Sequence, residues 1–284
     1  MKKRSTKEIK LQAKKALQGH VGTVLLGLLA VYGLNMLGTI LSTNLFSGTS
    51  PLDLVLSEVF MLVVSLIVGI ISAGFGYMLL NISRGKEFSL GDLGYFFKNQ
   101  PDRVIIAGFV LAVIQIVTAI PYYYVSFTTD PGLTVDSQIK WLSMTLGLLA
   151  VSTLLNFLIS LPFAMTYFLM ADDTELGGLQ ALKESARLMK GNLWRYVKLN
   201  LSFVPLLLLS VFTFYIALFW IMPYMEMSMV AFYRDLDGEL DYRLPGNEGF
   251  GSFHNWTNDS EDGYDTENND GYRNDSEDDY NSEA

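Results

Sequence analysis

Long uncharged apolar runs constrain this chain more than any other feature. A helix needs roughly 20 apolar residues to cross about 30 Å of hydrocarbon. Val21–Thr43, Val104–Phe127 and Trp141–Ala171 carry no charge, and Leu54–Ile82 carries only Glu58. A fifth run, Val197–Tyr233, is interrupted by Lys198 and Glu226. One such run also suits the core helix of a soluble domain, but five in 284 residues do not. The expected fold class is all-α, a polytopic transmembrane helix bundle. The first run follows a basic segment, yet it is about twice as long as the apolar part of a signal peptide and has no A-x-A site. It reads as an uncleaved span.

The fifth run sets the span count. Its 37 residues, at 1.5 Å rise each, would reach about 55 Å, too far for one crossing. A hairpin of two short spans, 197–214 and 217–233, gives six in all, after 21–43, 54–82, 104–127 and 141–171. One span continuing as an interfacial helix beyond Pro223 gives five. Length favours six, while the lack of Gly or Pro at the turn counts against the hairpin.

Lysine and arginine in short loops set orientation. The first 20 residues carry seven: Lys2, Lys3, Arg4, Lys7, Lys10, Lys14 and Lys15. Loop 44–53 has none, and loop 83–103 has Arg84, Lys86, Lys98 and Arg103. Loop 128–140 has only Lys140, and loop 172–198 has Lys183, Arg187, Lys190, Arg195 and Lys198. The alternation puts the N-terminus and the second and fourth loops in the cytoplasm of a multi-pass cell-membrane protein.

Two cytoplasmic segments read as amphipathic helices. In 5–18, Ser5 or Thr6 caps, Glu8 suits the first turn, and Ile9, Ala13, Ala16 and Leu17 form a stripe opposite lysines. In 174–190 the stripe is Leu179, Leu182, Ala186 and Met189, with Lys183, Arg187 and Lys190 beside it. Gly19 and Gly191 stand where a C-terminal cap glycine belongs. Asp172 and Asp173 resemble a metal pair, but they also stand where the N-terminal cap of the second helix belongs, and the cap is preferred. Ala16–Val21 aligns with Leu188–Leu193, which hints at an internal duplication. Both helices are expected in the inner headgroup layer, with their bases toward anionic lipid.

The residues around the second helix resemble the bacterial integral-membrane family described as domain of unknown function 975. The resemblance is carried by Ala171-Asp172-Asp173, Glu175-Leu176, Ala181-Leu182, Ser185, Met189-Lys190-Gly191-Asn192 and Trp194-Arg195. Pro223-Tyr224 and Ala231–Leu236 continue it. It covers roughly 5–237. Two departures stand out: Thr174 where a proline is common, and Thr213–Ile216 where a glycine-containing turn is common. The resemblance implies a bacterial multi-span membrane protein and brings no reaction, substrate or cofactor with it.

Charges at membrane depth are costly and often functional, which singles out Glu226, surrounded by Met222, Pro223, Tyr224, Met225, Met227 and Met229. The alternatives are an interfacial or paired carboxylate. Pro162 and Pro205 are expected to kink their helices or to free a carbonyl.

The formal charge of −9 is misleading as an average. Residues 235–284 hold 16 acidic residues against Arg243 and Arg273, whereas 1–234 are net basic. The chain thus divides into a basic segment 1–20, a transmembrane domain 21–236, and an acidic tail 237–284 expected to be disordered. A tail of this sign suits a cationic protein partner and not nucleic acid. There is no cysteine, and His20 and His254 are the only histidines. Thiol chemistry is excluded, and no Walker loop, H-E-x-x-H or G-x-S-x-G motif occurs. No catalytic, cofactor or metal site is expected. The preferred function is non-enzymatic binding, scaffolding or regulation in the envelope, with a transporter or permease component as the alternative.

Overall fold

The computed structural model describes residues 3–46 and 50–241. The described residues form helices and turns, in the order α1 (Thr6–Leu17), α2 (Val21–Leu45), α3 (Pro51–Arg84), a 3-10 turn (Leu90–Gly94), α4 (Tyr95–Lys98), α5 (Pro101–Thr128) and α6 (Val135–Ser160). A 3-10 turn at Leu161–Phe163 leads to α7 (Thr166–Asp172), α8 (Gly178–Met189), α9 (Leu193–Leu201), α10 (Val204–Phe212), α11 (Leu218–Leu236) and a last turn, Glu239–Asp241.

Among the described residues, five segments are long and apolar enough to cross a membrane: Val21–Leu45, Leu52–Arg84, Pro101–Ser126, Val135–Asp172 and Leu193–Phe212. The sixth crossing expected at 217–233 is not among them. That stretch is helical as α11, but it carries Glu226, and its residues from Met227 to Leu236 are covered mostly by protein. The turn before it is real. Phe214 and Tyr215 take φ of 49° and 66°, the left-handed conformation that glycine usually supplies. Two aromatic residues therefore do the work for which the sequence offers no glycine.

One arrangement recurs three times among the described residues: a short surface segment, a left-handed residue, an outgoing helix and a returning helix. The series run α1–Gly19–α2–α3, then Leu90–Lys98 with Gln100, α5 and α6–α7, then α8–Gly191–α9/α10–α11. The first and third match closely. α1 and α8 are both 12 residues long. The cap residues Gln18 and Lys190 share φ −59°, with ψ of 124° and 121°. Gly19 and Gly191 follow at 83° and 77°. The duplication read from Ala16–Val21 and Leu188–Leu193 is thus matched in backbone geometry. The 90–94 turn packs on α3 and α8 on α7, each the returning helix of the hairpin before it, and α1 packs on α11, the returning helix of the last hairpin.

The capping box of Ser5 and Glu8 starts α1, and Ile9, Ala13 and Leu17 are buried as the stripe requires. In α8 the expectation needs two corrections. The helix begins at Gly178 with Gly177 as N-cap, so neither Asp172 nor Asp173 caps it. Its covered side is Gly178, Ala181, Leu182, Ser185 and Met189, and Leu179 points outward. The close approach explains the shift: a Cβ on Gly178 would strike the carbonyl of Arg103. The apolar faces of α1 and α8 therefore bury against protein.

Both helix breaks near prolines are bridged by these surface helices. At the break holding Pro162, Ser185 Oγ donates to the Pro162 carbonyl at 2.8 Å and accepts from Met165 N–H at 3.1 Å. Between α9 and α10, Lys10 Nζ donates to the Ser202 carbonyl at 3.0 Å. Backbone groups freed in an apolar setting need such partners.

Candidate functional site

The ends of the three returning helices meet at one end of the bundle, here termed the base. Arg84, the last residue of α3, donates from Nη1 and Nη2 to the two oxygens of Asp172, the last residue of α7, at 2.6 and 2.8 Å. This is the fork-on-fork pairing that makes arginine–carboxylate bonds strong and directional. Arg84 also bonds Glu239 at 3.0 and 3.1 Å. Tyr233 of α11 donates to Asp172 Oδ2 at 2.9 Å. Arg234 donates to Glu239 at 2.7 Å and to the carbonyl and hydroxyl of Ser83 at 2.7 Å each.

A second cluster fastens the N-terminus to the same end. Asp235 accepts from Arg4 at 3.1 Å and from Arg195, and Arg4 bonds Asp241 at 2.8 Å. Arg195 also reaches the Arg4 carbonyl at 2.8 Å. Arg103 completes the ring of cations; it donates to the carbonyls of Asp173 and Met170 and lies 5.1 Å from the centre of the Phe96 ring.

Burial alone would push Glu239 up, but the hydrogen bonds from Arg234 and Arg84 outweigh it and hold its carboxyl below the ordinary range. Lys10 also lies below its usual value: burial, beside the Phe203 ring 3.7 Å from Nζ, lowers it.

The residues singled out from sequence do not converge. Asp172 joins the network, and Asp173 Oδ1 accepts from Glu175 N–H at 2.8 Å. Gly191 shapes the turn between α8 and α9. Trp194 is 65% exposed and has Lys198 Nζ 5.6 Å from its ring. Pro223 is buried inside α11, and Tyr224 reaches back to the Lys10 carbonyl at 3.3 Å. Glu226, within α11, has no hydrogen bond or ion pair among the described residues. No three acidic or histidine side chains come together among the described residues as a metal ion would require.

Sequence reasoning passed over Arg4, Arg84, Arg195, Tyr233, Asp235 and Glu239 as site residues. Arg4 and Arg84 counted only as loop charges, Arg195 as a loop charge and in the family resemblance, and Tyr233 and Asp235 in that resemblance. The one available signal was the clustering of Tyr233, Arg234 and Asp235 at the end of an apolar run.

A family model described as Protein of unknown function (DUF975) matches residues 1–239. The chain belongs to this family. The DUF975 match runs from before α1 through Glu239, so all three hairpins and the Arg84–Asp172–Glu239 cluster lie within it. No curated protein and no solved structure matches the chain. The acidic tail read from 237 onward falls almost wholly outside the described residues.

Proposed function

We propose that this DUF975 protein is a non-catalytic scaffold of the cell membrane, with its base and N-terminal helix on the cytoplasmic side. One observation carries the reading. The acidic groups of the base that chemistry would need are committed to holding helices: Asp172 by Arg84 and Tyr233, Asp235 by Arg4 and Arg195, and Glu239 by Arg84 and Arg234. The bases that are not engaged point outward. Lys7, Lys14 and Lys15 on α1, and Lys183 and Lys190 on α8, are exposed. Such a surface suits anionic headgroups, at about 1 kcal/mol per basic residue near the membrane. The acidic tail, in turn, suits a cationic protein.

Photocrosslinkers at Lys14 and at Tyr264 of the full chain test the scaffold role in cells. Capture of a specific protein from either position supports it; capture of none from both defeats it. Single-cysteine labelling tests orientation on a chain without native thiols. Lys190→Cys should react with an impermeant maleimide only after permeabilisation, and Ser47→Cys in intact cells.

A transporter is the second reading, favoured by the carboxylate of Glu226, which has no hydrogen bond or ion pair among the described residues. Unaltered flux of candidate solutes in Glu226→Gln would remove its support.

A further inference from the structure

Where the arms meet the base, a cavity of about 390 Å³ is bounded by α3, α5, α6, α7 and α9. Its polar lining is Ser65, Gln115, Asn156, Ser160, Tyr167 and Tyr196, with no charged side chain among the lining residues. Most of these lie well inside segments long and apolar enough to span a bilayer. At that depth an unsatisfied polar group is costly. Asn156 bonds Thr118 Oγ1 at 3.2 Å, and Ser65 bonds the Leu62 carbonyl at 2.7 Å. The side chains of Gln115, Ser160 and Tyr167 have no hydrogen-bond partner among the described residues. Room for the Tyr167 phenol is made by Gly69, for a Cβ there would come within 3.2 Å of its oxygen.

Phe157 also lines the cavity and is 43% exposed on the outer face of α6, so the mouth opens sideways. A ligand can therefore arrive from within the bilayer. A charged headgroup is expensive at this depth, whereas an uncharged one that exchanges hydrogen bonds is not. The volume falls in the range of small-ligand pockets and accommodates a glycerol headgroup while its acyl chains remain outside.

We infer that this cavity binds the uncharged, hydroxyl-bearing headgroup of a membrane lipid of the diacylglycerol class, with Gln115, Ser160 and Tyr167 as its hydrogen-bonding partners. This goes beyond the scaffold reading. It is read out on purified protein without a partner, so either can fail while the other stands.

The test uses the full chain in phosphatidylcholine nanodiscs with a photoactivatable diacylglycerol. Label should concentrate in peptides covering 108–115 and 156–167, and unlabelled dioleoylglycerol should compete while phosphatidylglycerol does not. Gln115→Leu combined with Ser160→Ala should lower labelling there about tenfold, as the loss of one or two hydrogen bonds implies. Tyr167→Phe, which removes only a hydroxyl, should lower it by a smaller factor. Leu154→Ala, on the exposed face of α6, should leave it unchanged. Labelling spread evenly over lipid-facing helices, indifference to the double variant, or equal competition by phosphatidylglycerol would each overturn the inference.

Discussion

At the base, Met78, Leu79, Met165, Met170 and Phe232 are at most 1% exposed, and charged groups from distant parts of the chain join in one network. Along the arms of the same helices, Leu45, Val59, Leu154 and Phe212 are each more than half exposed. Side-chain hydrogen bonds between the arms are isolated ones: Ser42 with Ser57 at 2.8 Å, Asn156 with Thr118 at 3.2 Å, and the Tyr123 hydroxyl donating to Glu58. The two regions meet different solvents. Apolar surface turned toward lipid gains little from being covered by another helix, because lipid tails are as apolar as leucine. Where the helices leave the apolar environment, burial becomes favourable again, and the chain forms a tight core there. The base therefore adds a charged and tightly buried lock to the hairpins that the arms do not have.

The difference is sharpest for Arg84→Met. It leaves Asp172 and Glu239 with fewer partners in a covered site, and breaking a buried pair from one side costs roughly 3–5 kcal/mol. Ser42→Ala, which removes a bond between the arms, should cost about 0.6 kcal/mol. Unfolding in mild detergent compares the two; equal losses would abolish the distinction.

Steric tolerance should divide the same way. Gly178→Ala drives a methyl into the Arg103 carbonyl and should cost about 1–3 kcal/mol, as overpacking does. Gly147→Ala in α6 meets nothing within 4 Å, and its effect on the same unfolding curve should stay below about 1 kcal/mol.

The smallest effect expected is that of pH. Glu239 is held below its ordinary value of 4.5. A depressed carboxyl contributes stability that is complete above the unfolded pKa and is lost as pH falls through the folded one. Thermal stability should therefore fall as pH drops below about 4.5, and Glu239→Gln should flatten that part of the profile. An unchanged slope would show that Glu239 adds nothing to the base.

Much of the base was legible piece by piece but not as a whole. The Ser5–Glu8 box, the stripe of α1 and the two cap glycines follow from local spacing, and each occurs as read. The register of α8 did not follow, because Gly178 is covered by a close approach to α5 that no periodicity records. The role of Asp172 was misread for a similar reason: a cap is a local possibility, whereas its partners Arg84 and Tyr233 lie 88 and 61 residues away.

The amino-acid sequence by itself determined the helical class, the apolar segments, the amphipathic surface helices and the family. These follow from transfer free energy and hydrogen bonding within short windows, which every residue carries wherever the chain goes. Only the tertiary structure decided that α11 returns under protein cover, that Arg4 meets Asp235 across 231 residues, and that Gln115, Ser160 and Tyr167 face one cavity. Those are pairwise facts, fixed by which helices lie side by side, and a one-dimensional pattern does not contain them.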